Sequence, residues 1–364
     1  MDDIPITNAS LAELLALEAE ESSGHLQRAF KRASRLAFLW PEEAFTLLSN
    51  NRSLTELPGI GPYLAKRLTG WISAPPKVAE PPELRRGFLT LADTRRILAR
   101  KPRWLEQLKG DLQMHTVWSD GAATIAGMAE AAQARGYKYI AITDHSQGLK
   151  IAGGMDEATL ARQLKEIGQV NGEFSASNSP FRVLSSLEMN LNPSGSGDMS
   201  LDSLRTLDVV LGSFHSALRR KEDQTDRYLA ALSHPGIHIL GHPRGRVYNF
   251  RVGLRADWAK VFDRAAALDK AVEIDGFPDR QDLDVDLLRL ARAAGVRISL
   301  GTDAHRPEQL SFMGFALAAA IEAEIPRERI LNFMSFQELL AWSRALTEQG
   351  SLRSHQSGTP FVQP

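Results

Sequence analysis

Five of the nine histidines stand at the ends of short β-rich runs, and carboxylates recur among the same run ends. "DLQMHTVWSDG" (111–121) carries Gln113, His115 and Asp120, and "ITDHS" carries Asp144 and His145. Further on, "LEMN" supplies Glu188, "SFHS" His215, "GHP" His242, and "GTDAH" both Asp303 and His305. A single histidine at a strand end is more often a hydrogen-bonded loop or core residue than a ligand. A series of them, interleaved with acids, needs another explanation. Imidazoles and carboxylates crowded into one place repel or stay unsatisfied unless cations neutralise them, and neutral imidazole with carboxylate is the ligand set of zinc, manganese or iron. His25, His234, His238 and His355 fall in helix, loop or tail and receive no metal role.

Such residues meet only if the fold brings distant segments together. From residue 110 onward, seven β-rich runs alternate with helical stretches such as "TIAGMAEAAQARG" and "VDLLRLARAAG". The runs are "DLQMHT", "YIAITDH", "RVLSSLEMN", "LDVVLGSFHS", "IHILGHP", "AVEIDG" and "RISLGTDAH". The alternation predicts an α/β fold with a parallel sheet closed into a barrel, whose strand C-termini share one face. Asp144 would orient a ligand or cap a turn. Glu273 and Asp275 share the inward face of the sixth run by period-two geometry and are read as supporting or substrate-contacting groups.

Composition narrows the alternatives. The chain of 364 residues has room for a barrel of about 250 residues and an appendage. Its 43 basic and 44 acidic residues nearly cancel, so overall charge does not mark a polyanion binder and any nucleic-acid contact must be local. With no cysteine there is no disulfide framework, thiolate metal site or cysteine nucleophile, and no G-x-S-x-G elbow is present. The start, "MDDIPITNAS", has no apolar signal core, and the longest apolar run is broken by Glu322. A soluble, cytoplasmic protein without a membrane partner is expected.

Before the barrel, residues 1–72 read as a small all-α unit, 73–108 as a proline-rich linker with connector helices, 109–346 as the barrel, and 347–364 as a flexible tail. "LPGIGPYLAKRL" (57–68) has the pattern of a helix-hairpin-helix. Its tight turn at Gly59 and Gly61 can present backbone N–H groups to a DNA phosphate, with Lys66 and Arg67 one turn on. Upstream, Arg28, Lys31, Arg32 and Arg35 share one helical face and could extend a phosphate track.

The six ordered motifs resemble those of the PHP (polymerase and histidinol phosphatase) superfamily. The resemblance is strongest to the PHP domain carried by bacterial family X DNA polymerases and runs from about 109 to 346. It implies a distorted seven-stranded β/α barrel of TIM-like type holding three divalent ions. Carried over, His115 and Asp303 hold one ion, Glu188 bridges it to a second held by His215 and His242, and Asp120, His145 and His305 hold a third. Glu188, His215 and Asp303 then stand closest to the chemistry, in which cations acidify a water and clamp a phosphate ester. The family's first motif is commonly His-x-His. Here Gln113 takes the first place, a harder and weaker ligand that is expected to leave its ion looser and more tolerant of manganese.

Lys150, Arg244 and Arg246 follow the motifs closely and are candidates for holding substrate phosphate. The hairpin region resembles, more loosely, the DNA-end-binding domain of family X polymerases. No palm with paired aspartates lies between the two parts; "DLDVD" (282–286) reads as a loop and helix start, so nucleotide transfer is not expected. The resemblance implies a metal-dependent phosphoesterase acting at DNA 3′ ends, as exonuclease or 3′-phosphatase. A small-molecule phosphatase of histidinol-phosphate type and a catalytically idle DNA-binding accessory are the alternatives. Oligomeric state is not legible.

Overall fold

The computed structural model describes residues 5–356, with side chains through residue 350. Seven strands form one parallel sheet in sequence order: β1 (Gly110–Asp111), β2 (Tyr139–Ile142), β3 (Arg182–Leu191), β4 (Val209–Phe214), β5 (Ile239–Leu240), β6 (Ala271–Asp275) and β7 (Arg297–Gly301). The two edges approach each other through a Met114–Ala304 bridge, with His115 N donating to Ala304 O (2.8 Å) and Asp303 N to Gln113 O (3.1 Å), so the barrel is nearly closed.

β1 and β5 are shorter than their sequence runs suggest. In both, the motif residues leave the regular ladder, which frees their side chains to turn toward the mouth.

Six helices cover the outside. They are α7 (Ile125–Ala134), α8 (Glu157–Ala176), α9 (Leu201–Leu204), α10 (Thr225–Ser233), α11 (Trp258–Ala267) and α12 (Val285–Ala294), one in each crossover, after α1–α6 described below. The crossover geometry is what a parallel sheet requires. Side-chain caps fix where the helices begin: Thr124 accepts from Gly127 N, Asp156 from Thr159 N, and Asp284 from Leu287 N. The Asp284 cap makes "DLDVD" a loop leading into a helix.

Strand alternation divides the lumen into two layers. Leu112, Tyr139, Ala141, Leu184, Val209, Leu211, Ile239 and Ala271 form a dry plug, closed below by α14 (Phe336–Gln356) through Leu339, Trp342 and Leu346. Two residues further along each strand the same face turns polar: Leu184 gives way to Ser186 and Glu188, Leu211 to Ser213 and His215, and Ala271 to Glu273 and Asp275. The opposite faces, including Ile140, Val210, Val272 and Ile298, pack against the helices and α13 (Met313–Glu322). The tail expected from residue 347 is helical through Gln356, since α14 continues that far; residues 357–364 and the His355 side chain lie outside what is described.

The N-terminal helices α1 (Asn8–Glu21), α2 (Gly24–Ala37), α3 (Ala44–Ser49) and α4 (Pro62–Ser73) have their own apolar cluster, centred on Leu15, Phe30, Trp40 and Leu68. An irregular segment follows, then α5 (Leu91–Leu98), which begins in a Thr90/Asp93 capping box, and α6 (Pro102–Gln107).

The helical cluster also takes in Tyr248 from the loop after β5, whose hydroxyl lies 2.9 Å from Ser34 Oγ. In the same seam Arg85 donates to both oxygens of Glu13 (2.8 Å each), to Glu20 (2.6 Å) and to Asn249 (3.2 Å). Both Arg85 and Glu13 are buried, so the helical unit grips the loop that leaves His242.

Candidate metal centre

Glu188, at the end of β3, is the hub of the polar layer and is fully buried. Its Oε1 lies 2.6 Å from His242 Nε2 and 3.2 Å from His215 Nε2. Its Oε2 lies 3.1 Å from His145 Nδ1 and 3.5 Å from His115 Nε2. Asp303 Oδ1 approaches His115 Nε2 at 2.9 Å, and Asp120 Oδ1 stands 3.4 Å from His305 Nε2 and 3.6 Å from His145 Nε2. Rings stack accordingly, His115 and His145 with centroids 4.4 Å apart. All eight acids and imidazoles singled out in the sequence therefore meet at one end of the barrel.

Local structure aims them. Asp303 has φ +50°, a left-handed conformation that bends the chain sharply just after β7 and costs a non-glycine residue about 1–3 kcal/mol. His242 N donates to Glu273 Oε2 (2.7 Å), which fixes the backbone behind the imidazole. Asp144 binds no imidazole. It accepts from Thr116 N (2.8 Å), Thr116 Oγ1 (2.6 Å), Ser119 Oγ (2.5 Å) and Gln163 Nε2 (2.6 Å), and so pins the loop that carries Asp120.

The electrostatics are those of an anionic cup lined with imidazole. Burial works against ionising Glu188, yet His145, His242 and His215 hold its carboxyl well below the usual range. Burial likewise opposes charge on His145, but Glu188 and Asp120 push it up to about 10, whereas burial dominates at His215 and brings it down to about 4. One imidazole thus takes a proton that its neighbour refuses. A divalent cation resolves that conflict better than a proton, because it satisfies several lone pairs at once.

Unpaired atoms support the fit. His115 Nδ1 is buried with no hydrogen-bond partner, and His145 Nδ1 and Glu188 Oε2 face each other at 3.1 Å without the geometry of a hydrogen bond. The donors of His115, Asp120, His145 and His305 lie within 4.8 Å of one another, as do those of His145, Glu188 and His215. This is a nitrogen- and oxygen-rich donor set that could hold metal ions.

Other sequence candidates fall elsewhere. Gln113 is buried beside Glu273; with its amide nitrogen toward that carboxylate it donates to both oxygens, at 2.9 and 2.5 Å. Burial, with Asp275 alongside, raises Glu273 well above the ordinary range. Arg244 and Arg246 are a correction, since neither guanidinium points at free space. Both pair with Asp284 (2.8 and 3.0 Å), and Arg246 is buried over the Phe88 ring (3.7 Å) and donates to the Arg86 and Gly87 carbonyls. They fasten the barrel loop to the linker. Lys150 is exposed on the loop after His145.

The cation that sequence reading missed is Arg280, which pairs with Asp303 Oδ2 and lies 3.8 Å from Asp275 Oδ2. Its only sequence signal was a lone arginine five residues past Asp275.

In the turn before α4, Gly59 has φ +80° and backs onto the Leu36 side chain, which an added Cβ would displace, while Gly61 is the N-cap of α4. Lys66 is exposed, but Arg67 pairs with Glu18 and lies over Trp71. Lys31, Arg32 and Arg35 are exposed, without a carboxylate partner among the described residues. Phe30, on the buried side of α2, makes an edge contact with Tyr63, so α2 packs against this turn with its cations on the opposite, solvent side. Among the described residues no helix is long and apolar enough to cross a membrane.

Residues 111–277 match the PHP domain family model. The chain is 38% identical over 239 residues to the DNA polymerase/3′-5′ exonuclease PolX of Bacillus subtilis, an alignment covering 65% of this chain and 41% of that protein. It thus spans about two fifths of that relative's length. A probable phosphatase of Caldicellulosiruptor bescii is 28% identical over 247 residues, covering 64% of this chain and 96% of the other. The solved histidinol phosphate phosphatase of Lactococcus lactis, complexed with zinc, L-histidinol and phosphate, aligns at a TM-score of 0.38 with 18% identity, over 66% of this chain and 93% of that one. The six motifs, the seven-stranded barrel that presents them and the family match agree: this chain carries a PHP domain.

Proposed function

We propose that the chain is a metal-dependent phosphoesterase acting at DNA 3′ ends. In this reading residues 109–346 form the catalytic barrel, 1–72 a DNA-holding unit, and 73–108 the connector between them. The convergence of His115, Asp120, His145, Glu188, His215, His242, Asp303 and His305 carries the proposal. These side chains would hold divalent cations, three by the family pattern, of zinc, manganese or iron type. Such cations, when bound, acidify a water and neutralise the charge of a phosphate ester.

The chain's own contributions are positional and electrostatic. Glu188, kept ionised by the surrounding imidazoles, faces both groups of donors. Asp303, held by Arg280, stays an anion turned toward His115. Asp144 immobilises the loop of Asp120. Lys150, exposed five residues past His145, is the remaining candidate of the original three for meeting substrate phosphate.

The DNA half of the reading is supported by the exposed cations of α2 and by likeness to a protein named as a polymerase and exonuclease. A second reading, a small phosphomonoester as substrate, is favoured by the probable phosphatase of Caldicellulosiruptor bescii, 96% of which aligns with this chain.

Phosphate release from a 3′-phosphorylated oligonucleotide, measured with added manganese for wild type beside His215→Ala, tests the proposal. Loss of at least about 100-fold in the variant is expected. Equal rates in the two proteins would refute the mechanism.

A further inference from the structure

Seven large apolar side chains are strongly exposed among the described residues. Three of them, Val117, Ile151 and Phe250, stand on the loops leaving β1, β2 and β5. Those loops begin at His115, His145 and His242. Ile151 is 95% exposed and Phe250 52%. The three stand two, six and eight residues past His115, His145 and His242, and an aromatic ring exposed in such a place is the one of the three that can stack on a flat ligand group.

Phe250 is the most structured of the three. Arg219, four residues past His215, lies over its ring with the guanidinium carbon 4.5 Å from the centroid, and donates to the Phe250 carbonyl (3.4 Å). Arg219 is exposed and has no carboxylate partner among the described residues. The two residues before Phe250 are anchored to the helical unit, Tyr248 at Ser34 and Asn249 at Arg85. The ring therefore stands at the seam between the metal-site loops and the unit that carries the basic face of α2.

We propose that Phe250 and Arg219 form a nucleobase platform beside the metal centre. The base attached to the reacting phosphate stacks on the ring, and Arg219 offers its remaining N–H groups to the adjoining phosphodiester. Every base presents a π face, so the platform accepts any sequence, and a guanidinium stacked on an aromatic is a suitable neighbour for phosphate. A short phosphomonoester would leave the ring uncovered. The inference rests on the DNA-end reading and assigns it a substrate class: single-stranded 3′ termini with a base in place.

The test compares wild type, Phe250→Ala and Phe250→Trp on three substrates: a 3′-phosphorylated oligonucleotide, the same oligonucleotide with an abasic terminal residue, and p-nitrophenyl phosphate. In Phe250→Ala the ratio of kcat/KM on the oligonucleotide to that on p-nitrophenyl phosphate should fall about tenfold, mainly through KM, with Phe250→Trp restoring it. Wild type should lose a similar factor on the abasic end, and Phe250→Ala little more. If wild type hydrolyses the normal and abasic ends equally well, and Phe250→Ala keeps the wild-type ratio, the platform is overturned while the DNA-end reading stands. If wild type hydrolyses p-nitrophenyl phosphate but neither oligonucleotide, the DNA-end reading falls and takes the platform with it.

Discussion

Asp303 divides its carboxylate between two partners: Oδ1 faces His115 Nε2 at 2.9 Å, and Oδ2 takes the guanidinium of Arg280. Burial alone would favour the protonated acid, but Arg280 and His115 hold Asp303 well below the ordinary carboxylate range. Arg280 thus sets both the charge and the direction of a proposed metal ligand.

Replacing Arg280 with Met should leave Asp303 able to rotate and to protonate. Outer partners of metal ligands typically contribute 10–100-fold to affinity or activity. The expected result is a fall of that size in manganese-dependent phosphate release, partly recovered in Arg280→Lys and by raised manganese. Wild-type rates and metal affinity in Arg280→Met would remove this role.

The Arg85–Glu13 pair makes a prediction about stability. Both side chains are 5% exposed, so breaking the pair strands a buried carboxylate. Arg85→Met should destabilise the helical unit by about 3–5 kcal/mol, and the double variant with Glu13→Leu should recover much of that loss. Denaturant unfolding followed through Trp40 and Trp71 fluorescence reads both. An unchanged midpoint in Arg85→Met would mean the seam contributes nothing.

Much of this site was legible because its signals are local. Each motif sits at the end of its own β-rich run, and period two carries Leu184 to Glu188 and Leu211 to His215 on one lumen face. What was not legible depends on pairings between distant segments. Arg244 and Arg246 follow His242 in the chain as closely as a phosphate-holding residue should. Their partners are Asp284, capping α12, and the Phe88 ring of the linker, which nothing near residue 244 announces. Arg280 is the converse case, since its acid lies 23 residues away on the far side of β7. Gln113 reads as a weak ligand from its place in the motif, but its buried neighbour Glu273 comes from another strand.

Acid should weaken the bottom of the barrel. His238 is buried, its Nδ1 accepting from Val210 N (3.0 Å), and burial, with Lys270 nearby, lowers it to about 3. A histidine depressed from about 6.5 binds fewer protons folded than unfolded between those values, so its stabilisation is present above 6.5 and is lost as pH falls. The slope is about 1.4 kcal/mol per pH unit for one such group. Urea midpoints for wild type and His238→Gln between pH 7 and 4.5, at fixed metal content, should show the shallower dependence in the variant. Parallel curves would rule His238 out as the source.

The exposed cations of α2 and the hairpin should be read through salt. Lys31, Arg35 and Lys66 face solvent without carboxylate partners among the described residues, whereas Arg67 is engaged by Glu18. If they meet phosphates, each releases counterions on binding, and the logarithm of affinity falls with the logarithm of salt by about 0.9 per contact on duplex DNA. Fluorescence titration with gapped DNA at several salt concentrations should therefore show a slope shallower by about 2–3 in the triple alanine variant. Arg67→Ala should change the slope little, because its charge is already paired. A weaker affinity with the wild-type slope would mean that these residues shape the unit without touching phosphate, and a slope near zero in the wild type would mean that the helical unit does not hold DNA at all.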